Sequence, residues 1–371
     1  MTSSASASAA LAALLRGDAN AFAALKAVPP EMLLDTARRE GLVPLAADQW
    51  PEQPAAGPVG QWLAREAREA LLLDIVRQQE LDRLLLAFEV APLKVLIFKG
   101  EQLARTCYAR PDLRPRLDTD LLVRPADRDR AREILEAAGY VPVPQLEADL
   151  ISYQHTFVRR LGPEASLVID LHWRVCNPQE FGGALEVEEL FAKAAPIPGL
   201  PGAAAGPGPV HALLLSLLHP IAHHHGRERL LWDLDTSRLA ALMSGADWVA
   251  FVDMAGERRL SALCHVRLQR AVEVFRAPVP AAVMTALADK GTAKERARIG
   301  SIRRTTQARS IWADARAISG WRDRLAFVRQ HLLPSADYMR RVYAPSSRSP
   351  LGVLYVQRAM FGAWKYLRRP H

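Results

Sequence analysis

The sequence predicts an α+β protein in which a small sheet-containing core is flanked by an N-terminal helical arm and a larger C-terminal helical region. The main observation is a change of hydrophobic period: helical spacing gives way to short β-branched runs at Pro92 and returns after Gln179. The chain has 371 residues, of which 50% are hydrophobic and 24% charged, so it can form two or three packed units. We expect these units to span residues 1–91, 92–185 and 186–371.

The first ninety residues have the pattern of helices. A short apolar stripe runs through Glu31–Glu40, and a loop rich in proline and glycine is expected at Trp50–Gly60. One long amphipathic helix is predicted over Trp62–Phe88. The apolar residues at helical spacing in this segment are Leu71, Leu72, Ile75, Leu81, Leu84, Leu85 and Phe88.

The core segment has the pattern of four strands and one helix. The β-branched run Val95–Phe98 predicts a buried strand that ends in a turn, and residues 117–123 predict a second strand. A helix is expected over Pro125–Gly139, because proline is favoured in the first turn and glycine just after the last. Residues 152–160 and 166–175 predict a hairpin.

The rest of the chain is predicted to be mainly helical. A linker rich in proline, glycine and alanine is expected at 197–209, followed by helix over most of 210–243 and further helices as far as Tyr343. Residues 344–350 interrupt the pattern before a final amphipathic segment at 351–369. That segment could lie on an anionic membrane surface, or pack on the helical region with its arginines in solvent.

The charge of the chain is unevenly distributed. Residues 291–371 contain 17 Lys and Arg against 4 Asp and Glu, a net +13, whereas residues 1–290 carry a net −5 within a total of +8. Such asymmetry favours an anionic partner for the basic C-terminal region, such as nucleic acid, a membrane surface or an acidic protein. The alternative is a solvated basic helical face.

Several classes of protein are disfavoured by the sequence. No run of 18 uncharged apolar residues occurs, so we expect no integral membrane association. The first 17 residues lack the basic start and long apolar stretch of a secretory signal. Cys107, Cys176 and Cys264 are too few and too widely spaced for a disulfide framework or a cysteine zinc site. A cytoplasmic location is expected.

Two aspartates in the second predicted strand are the first candidates for chemistry. Asp118 and Asp120 are two residues apart, so on a strand their carboxylates point to the same face. Two like charges near a core are costly unless a cation neutralises them. Mg²⁺ prefers such oxygen ligands and is usually held by one or two carboxylates together with substrate phosphates.

A later strand adds a third carboxylate. In residues 166–175, apolar and polar side chains alternate, so that Asp170 and His172 share the face opposite Leu171. Three carboxylates from neighbouring strands can hold two metal ions around a phosphoryl group. His172 is expected to contact substrate phosphate or to be a hydrogen-bonded structural histidine.

Three sequence blocks resemble the bacterial nucleotidyltransferase-like family of the DNA polymerase β superfamily. They are Phe98-Lys-Gly, Leu113-Arg-Pro-Arg-Leu-Asp-Thr-Asp-Leu-Leu-Val-Arg-Pro125 and Val168-Ile-Asp-Leu-His-Trp173. The family commonly has Lys-Gly, Arg-Pro-x-x-Asp-x-Asp-Leu-Leu-Val and Glu/Asp-Leu-His-Trp in this order. The resemblance covers roughly residues 70–240 and implies a mixed-sheet nucleotidyltransferase core.

The resemblance implies metal-dependent transfer of a nucleoside monophosphate from an NTP, by default ATP, to a small molecule, a protein side chain or an RNA end. Asp118 and Asp120 would hold Mg²⁺, or alternatively Mn²⁺. Asp170 would complete the second metal position and help to activate the acceptor hydroxyl. Positioning and charge neutralisation would supply most of the rate.

The loop that would hold the nucleotide departs from the superfamily pattern. Gly-Ser or Gly-Gly is usual, whereas this chain has Lys99-Gly100-Glu101 and then 16 residues before Asp118. Gly100 still permits close approach of the backbone, and Lys99, Arg114 and Arg116 are candidate phosphate ligands. Because of this departure, an inactive nucleotide- or RNA-binding protein on the same scaffold is the alternative.

A histidine cluster offers a further candidate. His219 and His223 are four residues apart and are followed by His224 and His225, but Pro220 intervenes and the Glu of a zinc-protease helix is missing. A polar helix face directed at the cleft is the preferred interpretation over a metal site. Asp235 is expected either to touch substrate or to lie at the surface.

Overall fold

The computed structural model describes residues 4–51, 57–144, 151–162, 165–202, 204–302, 307–343 and 349–367. Within these ranges the protein combines helices with one seven-stranded mixed sheet, as the α+β prediction requires. Parts of the predicted loop at 50–60, the predicted hairpin turn at 161–165 and the predicted break at 344–350 lie outside the described residues.

Five helices precede the sheet. They are α1 (Ser4–Leu15), α2 (Ala21–Lys26), α3 (Pro30–Glu40), α4 (Val43–Asp48) and α5 (Gly57–Val90). The first four helices and the start of α5 share a core with Leu230, Leu231 and Phe275 from the second half of the chain. The N-terminal arm is therefore packed against the C-terminal helices.

The long helix α5 buries only part of its apolar surface. Leu81, Leu84 and Phe88, in its C-terminal half, are buried against the sheet. Leu72 and Ile75 are 63% and 47% exposed, although their spacing predicts the same apolar stripe. The inward-facing residue of that turn is Asp74, which is buried because it pairs with Arg116.

The seven strands form a single sheet in the order β3-β4-β5-β2-β1-β7-β6. Strand β2 is antiparallel to β1 and parallel to β5, while β4 and β5 form the predicted antiparallel hairpin. The strands are β1 (Leu96–Phe98), β2 (Thr119–Leu122), β3 (Val141–Pro142), β4 (Gln154–Arg160), β5 (Ser166–His172), β6 (Ala194–Pro196) and β7 (Ala205–Pro207).

Among the described residues, three strands occur where no strand is expected from the sequence: the two-residue strand β3, and β6 and β7. Strand β7 lies inside the segment 197–209 that we expected to be a linker, and it pairs in parallel with β1. Strand β6 pairs with β7 and also follows residue 185, so the sheet extends beyond the segment predicted as the core. Gly206 allows this docking, because a Cβ there would lie 2.5 Å from the carbonyl oxygen of Ile97.

The two faces of the sheet have different partners. Leu121, Ile169 and Leu171 pack on one face against α5 and the helix α7 (Arg128–Ala137). The other face carries Phe98 and Leu122, which join the large core of the C-terminal helices. Two further helices, α6 (Lys99–Thr106) and α8 (Val187–Ala192), lie between strands in the chain.

The C-terminal region contains ten helices among the described residues. The large core includes side chains from the first six of them, whereas the last four contribute two small clusters around Phe327 and Met339. They are α9 (Pro209–His224), α10 (Leu230–Leu242), α11 (Gly245–Glu257), α12 (Ser261–Phe275), α13 (Ala281–Lys290), α14 (Ala293–Ile302), α15 (Gln307–Ala317), α16 (Trp321–Leu332), α17 (Ala336–Tyr343) and α18 (Leu351–Leu367).

The cysteines and the helices of the described residues were compared with the expectations from the sequence. Cys107, Cys176 and Cys264 are free thiols, and burial raises the pKa of Cys176 to about 11. None of the described helices has the length and apolar character needed to cross a membrane.

Candidate functional site

The parallel pair of β2 and β5 brings two of the predicted carboxylates together. Asp120 pairs in register with Asp170, and Leu121 with Leu171. Since side chains alternate along a strand, the two carboxylates lie on the face opposite the core of α5 and α7. Asp118 precedes β2 by one residue.

Asp120 is neutralised by two neighbouring groups. Lys99 Nζ donates to Asp120 Oδ1 at 2.6 Å, and His172 Nε2 lies 2.8 Å from the same oxygen. Although burial acts to raise the pKa of Asp120, the charge of Lys99 and the contact with His172 lower it well below its usual value. Asp120 is therefore an ionised carboxylate at neutral pH.

Asp170 is held by hydrogen bonds from the neighbouring strand β4. Thr156 Oγ1 donates to Asp170 Oδ1 at 2.6 Å, and Gln154 Nε2 donates to Oδ2 at 3.2 Å. Thr156 pairs in register with Asp170, so the alternation of β4 directs its hydroxyl to the same face. Each contact fixes one carboxylate oxygen and leaves that oxygen a further lone pair.

Three of these side chains form a group that could bind a metal ion. Ligand atoms of Asp120, Asp170 and His172 all lie within 4.8 Å of one another. The sequence predicts Asp118 as a ligand in place of His172, and Asp118 lies outside this group. Among the described residues, the histidines of α9 do not form a comparable group.

Asp118 has an electrostatic environment unlike that of Asp120. No side chain of the described residues forms a hydrogen bond or ion pair with its carboxylate. Burial, together with the negative charges of Asp120 and Asp170, raises the pKa of Asp118 to about 6. A set of oxygen donors with one uncompensated carboxylate has the chemistry that a hard divalent cation requires.

Arg114 and Arg116, the candidate phosphate ligands, line the cavity and are paired with carboxylates of the protein. Arg114 donates from Nε and Nη2 to the two oxygens of Asp235, at 2.9 and 2.8 Å. Arg116 pairs with both Glu101 and Asp74. Both guanidinium groups therefore form ion pairs within the protein, with partners on α5, α6 and α10.

Lys99, Gly100 and Glu101 form the first turn of helix α6 where the sequence predicts a loop, and the same contacts shape this turn. Lys99 starts α6 with a positive φ of 52°, and a Cβ at Gly100 would lie 2.9 Å from Arg114 Nη1. Glu101 is fully buried and points away from the carboxylates, toward Arg105 and Arg116. The carboxylate of Glu101 is therefore not directed at a phosphate bound near Lys99 and Gly100.

A cavity of about 710 Å³ opens over these residues. It is lined by Lys99, Gly100 and all three aspartates, and on the opposite side by helices of both halves of the chain. His172 is 1% exposed and lies behind Asp120, outside the lining. A volume between about 300 and 1,000 Å³ is typical of small-molecule sites.

The histidines of α9 face this cavity, as the preferred interpretation of the sequence expects. His219, His223 and His224 are all part of the lining, and His219 Nε2 lies 3.1 Å from His224 Nε2. The helix continues through Pro220. Burial lowers the pKa of His223 to about 3, with a further contribution from Lys99, so this imidazole is neutral.

Other site residues were missed at the sequence level. Gln154 and Thr156 lie on a strand with no motif, and only their alternation opposite Asp170 could have indicated them. Asp235 is buried, which contradicts a surface position, and it lines the cavity as a partner of Arg114 and Tyr108. Arg174, at the end of the predicted strand 166–175, donates to Gln179.

Comparison with known proteins gives one family. No curated protein matches the chain. The sequence profile of a family described as uncharacterised nucleotidyltransferase matches residues 26–276, which include the whole sheet and the cavity-lining helices α9 and α10. Because the match covers more than half of the chain, the protein belongs to this nucleotidyltransferase family.

Proposed function

We propose that the protein is a Mg²⁺-dependent nucleotidyltransferase that moves a nucleoside monophosphate from an NTP, by default ATP, to an acceptor. The observation that carries this proposal is the register of β2 and β5, which aligns Asp120 with Asp170 beneath the cavity. Asp118 adds a third carboxylate with no cation of its own. Family membership supports the same reaction class.

Asp118, Asp120 and Asp170 would hold the divalent cations, with Mn²⁺ as an alternative to Mg²⁺. Bound there, the cations would neutralise charge on the transferring phosphoryl group and acidify the acceptor hydroxyl. Asp170 would accept the hydroxyl proton at a carboxylate oxygen. Its geometry for this role is maintained by Thr156 and Gln154.

The residues around the carboxylates would have separate roles. Lys99 is available to move from Asp120 to a phosphate oxygen, since its ammonium is partly exposed in the cavity. His172 would orient Asp120 from behind. Arg114 and Arg116 would position the segment that carries Asp118, and Gly100 gives Arg114 room to do so.

Thermal unfolding in the presence of NTPs tests the proposal without knowledge of the acceptor. Each NTP is added with Mg²⁺, with Mn²⁺ or with a chelator, because a ligand that binds only the folded state raises the midpoint. We expect a metal-dependent increase for at least one NTP in the wild type. The double variant Asp118→Asn/Asp120→Asn is expected to lose it.

The matched control is Asp127→Asn/Asp129→Asn. This pair has the same spacing and the same change of charge, but neither residue lines the cavity. We expect it to retain the full metal-dependent shift. An unchanged shift in the Asp118/Asp120 variant would contradict the proposed site, and full transfer activity in that variant would contradict the proposed reaction.

A second candidate function is that of a non-catalytic nucleotide- or RNA-binding protein on the same scaffold. The ammonium of Lys99 favours it, because it already neutralises the carboxylate that a metal ion would need. The net +13 of residues 291–371 would then recruit an anionic partner. Binding of a single-stranded RNA that weakens steeply with salt and is unaffected by Asp118→Asn/Asp120→Asn would support this candidate.

The location we propose for either function is the cytoplasm, where the three free cysteines remain reduced.

A further inference from the structure

Arg229 is a cation in the cavity wall that forms no ion pair with any of the described residues. It lines the cavity just before α10, and its Nε is buried without a hydrogen-bond partner. No ion pair or side-chain hydrogen bond to Arg229 occurs among the described residues. By contrast, Arg38, Arg114 and Arg116 line the same cavity and are each paired with a carboxylate.

The carboxylates that act on Arg229 from nearby are already engaged. Glu40 Oε2 accepts a hydrogen bond of 2.7 Å from the backbone N–H of Leu230. Asp235 accepts both bonds from Arg114, and its Oδ1 also accepts from the Tyr108 hydroxyl at 2.6 Å. Both carboxylates lie beyond ion-pair distance of Arg229, so the guanidinium keeps its donors for a ligand.

The position of the Arg229 side chain is fixed by its surroundings. Gly41 has a φ of +71°, and a Cβ at this residue would lie 2.6 Å from Arg229 Nη2. The guanidinium carbon lies 5.8 Å from the centre of the Trp232 ring, within the range of a cation–π contact. The absence of a side chain at Gly41 thus makes room for this cation.

Two neutral polar groups face the same cavity. His219 Nδ1 and His223 Nε2 are buried without hydrogen-bond partners, on the helix that follows β7. Burial lowers the pKa of both imidazoles, so each ring is neutral and offers one donor and one acceptor nitrogen. Burial is also the main cause that lowers the pKa of Arg229, and a bound anion would relieve that cost.

We propose that Arg229, with His219 and His223, binds a phosphate group on the helical wall of the cavity. The phosphate belongs either to the polyphosphate tail of the nucleotide or to the second substrate. This inference deepens the proposed function and rests on it for the identity of the ligand. The phosphate oxygens would accept a charge-assisted hydrogen bond from the guanidinium of Arg229 and ordinary hydrogen bonds from the neutral imidazoles of His219 and His223.

Titration calorimetry with inorganic triphosphate, in buffer containing a chelator, tests the site without metal and without turnover. We compare the wild type with Arg229→Gln and with the control Arg227→Gln, which removes the same charge from an exposed residue two positions away. Arg229→Gln is expected to weaken binding by about 10- to 100-fold, as for loss of hydrogen bonds to a charged group. Arg227→Gln is expected to change it less than threefold.

The source of the phosphate is distinguished by titrating a nucleoside triphosphate and the corresponding monophosphate. If Arg229→Gln weakens binding of the triphosphate nucleotide but not of the monophosphate, the site holds the nucleotide tail. If it weakens binding of inorganic triphosphate and leaves both nucleotides unchanged, the site belongs to the second substrate. Equal losses in Arg229→Gln and Arg227→Gln, or no binding by the wild type at millimolar concentration, would overturn the proposal.

Two measurements keep this test independent of folding and of the proposed reaction. The thermal midpoint without ligand is expected to be unchanged or higher in Arg229→Gln, and Arg229→Lys, which keeps the charge, is expected to retain part of the affinity. If triphosphate binds through Arg229 but the metal-dependent thermal shift with NTP is the same in the wild type and in Asp118→Asn/Asp120→Asn, the phosphate site is kept and the proposed function is contradicted. If the thermal shift is lost in that double variant but Arg229→Gln binds triphosphate as well as the wild type does, the proposed function is kept and the phosphate site is contradicted.

Discussion

Asp118 and Asp120 are two residues apart and have opposite electrostatic environments. Asp120 has Lys99 and His172 on one oxygen, whereas burial and the negative charges of Asp120 and Asp170 outweigh the more weakly acting charge of Lys99 at Asp118. The pKa of one carboxyl is therefore lowered and that of the other is raised to about 6. Paired carboxylates with separated pKa values are typical of sites that bind cations or transfer protons.

The raised pKa of Asp118 predicts a particular pH dependence of stability. Between pH 4 and 6 the folded state binds the proton more tightly than the unfolded state, so the contribution of Asp118 to the free energy of unfolding falls as pH rises through this window. Asp118→Asn removes that loss. We expect the variant to be more stable than the wild type by about 1–2 kcal/mol above pH 7, after allowance for solvent screening.

Urea unfolding at pH 4.5 and pH 7.5 measures this effect. The gain in Asp118→Asn should be largest at pH 7.5 and small at pH 4.5, where the wild-type carboxyl is mostly protonated. Asp129→Asn, at an exposed position, should show no such difference between the two pH values. A stabilisation that is equal at both pH values would contradict the environment assigned to Asp118.

Glu101 gives a second prediction about a single side chain. Its carboxylate is fully buried and bridges Arg105 and Arg116, which ties α6 to the segment before β2. Glu101→Gln leaves Arg105 without its charge partner and Arg116 with Asp74 alone, so we expect a loss of about 3 kcal/mol in the free energy of unfolding. Urea unfolding checks this value, and exposed Glu133→Gln, on α7, should change stability by less than about 0.5 kcal/mol.

The aspartates could be predicted from the sequence, whereas their partners could not. The motif around Asp118 and Asp120 is local, and strand alternation alone places Asp170 and His172 on one face. The pairing of Arg114 depends on Asp235, 121 residues later in the chain. Such a contact exists only after helices from both ends of the chain have packed together, so no local pattern indicates it.

At the level of elements, β7 shows how a strand can form without a strand-like sequence. Its residues Ala205, Gly206 and Pro207 have low strand propensity, and the segment is extended because it pairs with β1. By contrast with β7, the sequence segments that form β1 and β2 are mostly apolar and are buried. The sequence therefore predicts β1, β2, β4 and β5, while β7 and the edge strand β6 depend on tertiary contact.

The docking of β7 predicts a cost for any side chain at residue 206. In Gly206→Ala the new methyl group would meet the Ile97 carbonyl oxygen and the Gln102 side chain. We expect the free energy of unfolding to fall by about 1–3 kcal/mol, as for other overpacked sites. Gly183→Ala is the control, because a Cβ there meets nothing within 4 Å.

Unfolding midpoints in urea for the two alanine variants test this expectation. Equal stability of Gly206→Ala and Gly183→Ala would mean that β7 does not dock closely on β1. The same comparison distinguishes a steric cost from the general effect of replacing glycine by alanine, which reduces the entropy of the unfolded chain in both variants.

Across the whole molecule, buried apolar surface is concentrated away from the basic C-terminal region. Helices α9, α11 and α12 supply much of the largest core, whereas α16 and α17 each bury one side chain completely enough to be part of a core, Phe327 and Met339. We expect backbone amides of α16 and α17 to exchange with solvent at least about tenfold faster than those of α9 and α12.

Hydrogen exchange followed by mass spectrometry of peptides tests this difference. Peptides from α11 provide the internal reference for a well-packed helix of similar length to α16. Equal protection of α16 and α11 would show that the last helices unfold only with the rest of the protein. The basic surface would then be as rigid as the sheet.

In the ion pair between Lys99 and Asp120, the ammonium of Lys99 occupies a carboxylate that the proposed cation would also need. A tethered ammonium acts at a high effective concentration, of the order of millimolar or above, and a free divalent cation must displace it. Under the proposed function, nucleotide phosphates would attract the same ammonium, so nucleotide and metal would each remove an obstacle to the other. Their binding would then be cooperative in both directions, and the protein without nucleotide would retain little metal.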